Sequence, residues 1–432
     1  MADKLQSARE YILRRIDAGE FRGGEKLPSA RELAERTGIS FPIVQMAFNT
    51  LIADGILSSG VSRQGTCIRK DWADRILPGS FLSFRPVWNE LFSQKIRPQI
   101  PELLAVDHFH CGACEIRATF HAVLQQNEYL DLSEFLEEEY PDRSDFFNAR
   151  IEQFRSHDGK LYALPLMFSP WVFCCDEELF QKAGCDMPGM DWTWEEFLDL
   201  LRELQRKLPA NQILASFKDP TRWLIYLTHF GGKIFDRQPD GKFNCLLNSP
   251  ETLEALKSLQ KLYHLLPQTD QATDFRCALR LCTRQDIVTH RLRGKLVPLP
   301  RVHGDRESGS LMAGDLLCIR KSVNNFQMVR HLIREFLSLE LQRELSNLKY
   351  GIPIRKSAAI QSFDETDPVD QLFFSTMPRI VNTPHYAWPT VNELVQEAMT
   401  EFLYSDRSPQ EFSTELAPAL EAILKYTRNK RR

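Results

Sequence analysis

Lys26-Leu27-Pro28-Ser29-Ala30-Arg31-Glu32-Leu33-Ala34-Glu35-Arg36-Thr37-Gly38-Ile39-Ser40 is the stretch on which the reading of this 432-residue chain turns. Ser29 followed three residues later by Glu32 is a capping box. The hydroxyl accepts an orphan backbone N–H at the start of a helix while the carboxylate reaches back. Gly38 suits the left-handed position that ends such a helix. Ser40 is placed to cap the next one, and Pro42 is tolerated in a first turn that needs no N–H from it. In that next helix Val44, Ala47, Phe48 and Leu51 share the core-facing side, which leaves Phe41, Gln45 and Asn49 facing outward.

Upstream, Leu5, Ala8, Ile12 and Ile16 recur at three- and four-residue steps, an amphipathic helix that Gly19, Gly23 and Gly24 break. Downstream the period changes. Ile56-Leu57-Ser58-Ser59, a turn through Gly60, and Gly65-Thr66-Cys67-Ile68 read as a short hairpin. Helix, helix, tight turn, helix, hairpin is the order of a winged helix-turn-helix, whose third helix enters the major groove while the wing touches backbone or minor groove. Residues 1–70 hold eleven Lys and Arg against eight Asp and Glu, so this unit is basic inside a chain of net charge −4. A plain protein-interaction module has no need of Arg31 and Arg63 on the same face as the exposed third-helix residues.

The rest of the chain is a different kind of object. At about 150 residues per domain the length implies roughly three domains or lobes. With 43% hydrophobic and 26% charged residues, the composition excludes a disordered, collagenous or membrane class. Lys4, Arg9, Glu10, Arg14, Arg15 and Asp17 interrupt every window in which a secretory apolar run would lie, and no long apolar span follows. Ten irregularly spaced cysteines then read as reduced thiols, and the expected location is cytoplasmic. Residues 71–80, with Pro78-Gly79, form a plausible linker. Beyond it, strands are expected at Ser80–Phe84 and Leu103–Val106, and Leu161–Cys175 reads as two strands kinked by Pro165 and Pro170. Helices are expected at Pro86–Gln94, Glu195–Leu208, Pro250–Leu266 and Asn325–Asn347. Such alternation predicts an α/β domain over 81–428 with largely parallel sheets.

Two resemblances sharpen this picture. Lys26-Leu27-Pro28-Ser29-x-Arg31-Glu32-Leu33-Ala34, Gly38-Ile39-Ser40, Val44, Ala47, Leu51, Gly55 and Arg63-Gln64-Gly65-Thr66 closely resemble the GntR family of winged-helix transcription regulators. The resemblance implies that a homodimer binds a near-palindromic operator DNA. Ser29 and Arg31 would meet phosphates, Ser40, Phe41, Gln45 and Asn49 would face the bases, and Arg63 and Gly65 would lie in the wing. Phe41 and Gln45 stand where many members carry arginine, so Gln45 would favour adenine and Phe41 a thymine methyl.

The second resemblance covers about residues 80–428. It rests on Asp158-Gly159-Lys160-Leu161-Tyr162-Ala163-Leu164-Pro165, Ser169-Pro170-Trp171-Val172, Glu178-Leu179-Phe180-x-Lys182-Ala183-Gly184 and Trp192-Thr193-Trp194-Glu195-Glu196-Phe197. Gly231-Gly232, Leu247-Asn248-Ser249-Pro250-Glu251, Gly351-Ile352-Pro353-Ile354-Arg355 and Trp388 follow in order. This is similar to the maltose-binding-like family 1 extracellular solute-binding proteins that serve ABC importers. It implies a two-lobed α/β domain of the type II periplasmic-binding-protein kind, with a crossover near 165–175 and a small polar ligand, a sugar by family habit, in the cleft. Flat aromatic faces for sugar rings and planar polar groups for hydroxyls would come from Trp171, Trp223 and Trp388, with Arg222, Tyr226 and Tyr386 beside them. Trp192 and Trp194 are assigned to the core. Residues 80–150 are short for the family and lack its Gly-x-x-Pro-Asp segment.

No enzyme motif, cofactor loop or catalytic constellation is present in the sequence. His108-Phe109-His110-Cys111-Gly112-Ala113-Cys114 offers four zinc-ligand types, but all crowd one loop, whereas structural zinc sites draw on two separated clusters; no metal is assigned. The expected protein is a ligand-responsive transcription regulator without membrane contact. The alternative is a DNA-binding regulator whose solute-binding-like domain binds no ligand and serves only for dimerisation.

Overall fold

In the head, the capping box sets the first geometry. The computed structural model describes residues 2–17, 19–59, 65–72, 80–83, 85–100, 104–105, 114–119, 122, 128–156, 159–215, 222–238, 243–265, 276–302, 309–321, 323, 325–381 and 389–429. Helix α1 spans Ala2–Asp17, α2 Ala30–Thr37 and α3 Phe41–Ala53. The Glu32 amide donates to Ser29 Oγ at 3.3 Å and the Ser29 amide to Glu32 Oε2 at 2.6 Å. Gly38, at φ 68°, ends α2. Ser40 holds the N-cap position of α3, yet its hydroxyl caps nothing. The second residue of the helix is Pro42, which has no N–H, and the Ile43 amide is taken by the Ser40 carbonyl at 3.0 Å.

Ala8, Ile12 and Ile16 of α1 bury against Val44, Ala47, Phe48 and Leu51 of α3. An Arg9–Asp54 ion pair of 2.7 Å ties α1 to the end of α3. Strands β1 (Leu57–Ser59) and β2 (Thr66–Ile68) pair antiparallel, Leu57 opposite Ile68. Lys26 adds a bridge to Cys67, so the segment before α2 is stitched to the wing. Gly65 is required there. Its φ is +77°, a left-handed conformation that any side chain would strain.

Two sheets carry the rest. The first-lobe sheet has six strands in the order Ile352–Pro353, Leu164–Ser169, Ala313–Ile319, Cys114–Ala118, Ser80–Ser83, Leu104–Ala105. The second-lobe sheet has four: Lys295–Pro298, Val172–Cys175, Leu279–Cys282, Leu214–Ala215. Both are mixed, which corrects the expectation of largely parallel pairing. Only Ser80–Ser83 with its two neighbours, and Leu214–Ala215 with Leu279–Cys282, pair parallel within these two sheets. The strands that enter or leave the crossings run back against their neighbours. Pro165, which cannot donate to a ladder, sits beside a register irregularity opposite Leu316.

The chain passes between lobes at Pro170-Trp171 and again between Pro298 and Ala313, and it is back in the second lobe by the helix Pro389–Leu403. That helix and Pro409–Asn429 pack into the second-lobe core. The single helix expected over Asn325–Asn347 is two, Phe326–Phe336 and Leu339–Asn347. Ser338 breaks it by capping the second, its Oγ accepting from the Leu341 amide at 3.2 Å. The expected linker lies mostly in residues 73–79, outside the described residues, and the hairpin tip, 60–64, lies outside them too.

Candidate functional site

The outer side of the head brings α2 and α3 together. Ser29, Arg31, Ser40, Phe41 and Asn49 are exposed, Gln45 is half-buried and Gly65 is exposed at the base of the wing. The Arg31 guanidinium lies 5.7 Å from the centroid of the Phe41 ring, so a cation at the start of α2 is held beside the start of α3. One turn on, Gln45 Nε2 donates to Asn49 Oδ1 at 3.3 Å. Arg63 lies outside the described residues.

Trp171 stands where two crossings meet. Its amide donates to Ser310 Oγ at 3.3 Å, on the return crossing. Its indole N–H is buried with no hydrogen-bond partner among the described residues. The Arg222 guanidinium lies over the indole, 4.6 Å from the ring centroid. Arg222, Tyr226 and His229 fall on one face of the helix Arg222–His229, at steps of four and three residues. Burial pushes the Tyr226 hydroxyl above its ordinary pKa while the Arg222 charge opposes. Burial likewise pushes His229 below the usual imidazole value, so the ring is neutral at pH 7. Its nitrogens lie 2.6 Å from the Pro300 carbonyl and 3.1 Å from the Gly309 carbonyl, both on the return crossing, and a neutral ring donates to one of them. One face of this helix therefore joins Trp171 to the crossing.

Of the other expected cleft residues, Trp223 points elsewhere. It is buried in the second-lobe core, and its indole N–H donates to Gln396 Oε1 at 3.0 Å. Tyr386 and Trp388 lie outside the described residues. Trp192 and Trp194 are buried in the core, as assigned. Of the His108–Cys114 loop only Cys114 is described, buried at the start of its strand; among the described residues no group of metal-ligating side chains occurs.

The first-lobe core contains a network that sequence reading missed. Asp315 Oδ2 accepts from Trp88 Nε1 at 2.7 Å and from the Tyr350 hydroxyl at 2.8 Å. Burial pushes this carboxyl above its ordinary pKa, opposed first by the Arg85 charge. Arg85 stands 3.8 Å from Asp315 and reaches across to Asp286 of the second lobe at 3.7 Å. The visible signal was one acid inside the apolar run Gly314-Asp315-Leu316-Leu317-Cys318-Ile319. Nearby, the Arg284 amide donates to Ser169 Oγ at 3.1 Å, and Asp370 accepts from both Arg284 and Lys349.

The head is seated on the first lobe by α1. The Arg14 guanidinium lies 4.0 Å above the Phe135 ring and 5.8 Å from that of Phe326, and pairs with Glu134 at 2.7 Å. Glu138 stands 3.7 Å from Arg14 and is itself paired with Arg330 at 2.9 Å. Helices Ser133–Glu139 and Phe326–Phe336 thus form a seat for one turn of α1.

Residues 4–68 match the family model of bacterial regulatory proteins, gntR family, and residues 122–280 match that of bacterial extracellular solute-binding proteins. The chain joins a gntR-type head to a solute-binding-type domain. Its larger part has the fold of ABC sugar-binding proteins. An ABC substrate-binding protein of Listeria monocytogenes in complex with cycloalternan is 16% identical at a TM-score of 0.62, with 80% of this chain and 98% of that one covered. A solute-binding protein of Thermotoga lettingae bound with α-D-tagatose is 17% identical at a TM-score of 0.63, with 80% and 99% covered. Maltose-bound MalE3 of T. maritima is 15% identical at a TM-score of 0.59, with 80% and 99% covered. No described helix is long and apolar enough to cross a membrane. The gntR-type head supports a DNA-binding regulator, and the solute-binding-type fold supports a small-ligand cleft.

Proposed function

We propose that the chain is a cytoplasmic transcription regulator whose operator binding is controlled by a carbohydrate, or a similar small polar solute, held in the cleft of the larger domain. The observation that carries this reading is the Trp171–Arg222 pair. A buried indole N–H with no hydrogen-bond partner among the described residues, on a ring covered by a guanidinium, sits at the crossing about which the lobes would rotate. A ligand hydroxyl accepting that N–H would contact the crossing itself. Sugar-bound structures of the same fold support a carbohydrate, and equally similar ones in complex with glycerophosphocholine and ribitol support other small polar solutes as well.

Control needs a ligand that binds one conformation better than another. Arg14 holds the head on the first lobe, so closure would move the second lobe against a head and first lobe travelling together. In a homodimer on a near-palindromic operator, that motion would re-space the two heads. Both matched families are non-enzymatic, and no turnover is proposed. The test is a thermal-shift screen of the full chain against maltose, tagatose and cyclic glucans, followed by DNA binding with and without the stabilising sugar. Stabilisation by one sugar, with changed DNA affinity, is expected. No stabilisation by any sugar would overturn the ligand half of the reading.

A further inference from the structure

The outward side of α3 has an unusual chemistry for a helix that enters a major groove. No Lys or Arg occurs between Phe41 and Ala53. Phe41 is 42% exposed and Met46 44% exposed, and among the described residues they are the head's two exposed large apolar side chains. Pro42 beside them is exposed as well, and Gln45 and Asn49 are the neighbouring groups able to hydrogen-bond. The face is therefore an apolar strip interleaved with amides.

Each base offers a distinct edge to such a strip. Guanine's two acceptors call for Arg or Lys, which α3 does not have. Adenine's donor and acceptor match a carboxamide, and the one apolar group on any base edge is the thymine C5-methyl. The Gln45–Asn49 hydrogen bond orients the amides. With Gln45 Nε2 donating to Asn49 Oδ1, Gln45 Oε1 remains to accept from adenine N6 while N–H groups remain to donate to N7. Arg31 of α2 lies over the Phe41 ring, at the flank of the strip, where a phosphate would pass. An apolar strip invites a protein partner too, but the interleaved amides and the basic balance of residues 1–70 favour a polyanion with apolar groups in its groove.

We infer that α3 reads A·T-rich half-sites, with Phe41 and Met46 packed on thymine methyl groups and Gln45 on adenine. This rests on the DNA-binding reading above. The test begins with selection of binders from a random duplex pool by the full chain. The selected duplexes are then remade with deoxyuridine for thymine, which keeps the pairing and O4 and removes only the methyl. Enrichment of A·T half-sites is expected, with a loss of about fourfold in affinity for each contacted methyl removed. Phe41→Ala and Met46→Ala should abolish that uracil penalty while the melting temperature stays unchanged, because both side chains are exposed. Gln45→Arg should move one position of each half-site towards guanine. Half-sites rich in G·C, or affinities indifferent to uracil, would overturn the inference while leaving the regulator reading intact. A pool from which nothing is retained would overturn both.

Discussion

Replacing Arg14 by Ala should loosen the head from the first lobe without unfolding either. The magnitude can be built from the contacts. The side chain is 18% exposed and its guanidinium lies 4.0 Å above Phe135, a largely desolvated stack that contributes about 1 kcal/mol. Glu134, at 2.7 Å, is 70% exposed, so screening leaves that ion pair a few tenths of a kcal/mol. Together they amount to about 1.4 kcal/mol, about tenfold in the ratio of docked to undocked heads. With a donor dye on the head and an acceptor on the first lobe, the urea midpoint of energy transfer should fall in Arg14→Ala while the melting of the first lobe holds. Glu134→Ala should move that midpoint much less. The variant should also lose most of the effect of sugar on DNA affinity. An unchanged midpoint would refute the docking assignment. A lowered midpoint with full sugar response would show that coupling runs by another route.

Arg31→Ala should weaken binding to all duplexes alike and lower the slope of log affinity against log salt by about 0.9, as loss of one phosphate contact requires; a change in base preference instead would place Arg31 on a base. Trp171→Ala should cost about fivefold or more in sugar affinity, measured by calorimetry, and leave sugar-free DNA binding intact; unaltered affinity would put the ligand elsewhere. Burial pushes the Asp370 carboxyl up, but the Lys349 ammonium, the Asp364 amide and the Arg284 guanidinium together hold it below its ordinary value. Its folded pKa is thus below the unfolded one, so its contribution is complete above about pH 4 and is lost as pH falls through the folded value. Asp370→Asn should lower stability at pH 7 and flatten the acid limb of a denaturation series; an acid limb identical to the parent's would remove Asp370 from that balance.

The head was legible because its signals are local. Ser29, Glu32 and Gly38 carry their instructions within a turn or two, and the switch of period after Gly55 marks the wing. Ser40 misled because a cap needs an available N–H, and Pro42 and the Ser40 carbonyl removed both candidates. In the larger domain, the kink at Pro170 marked the step between the strands Leu164–Ser169 and Val172–Cys175. Trp223 went astray by one helical position, which turns a side chain by about 100° and here sends it to Gln396. Strand direction was not legible, since pairing depends on where the chain crosses between lobes rather than on any local period. Arg85 and Asp315 are far apart in sequence and meet only through the folded sheet. Arg14, a charge on a helix surface, reads as solvated until its seat is seen.

The central claim is that cleft and head are thermodynamically linked, and linkage is reciprocal: operator DNA must change sugar affinity by the factor by which sugar changes operator affinity. The direct measurement is a calorimetric titration of the full chain with the sugar found by thermal shift, repeated in the presence of a saturating selected duplex. Sugar affinities that differ by about 5–150-fold between the two titrations are predicted. Equal sugar affinities with and without operator would contradict the claim.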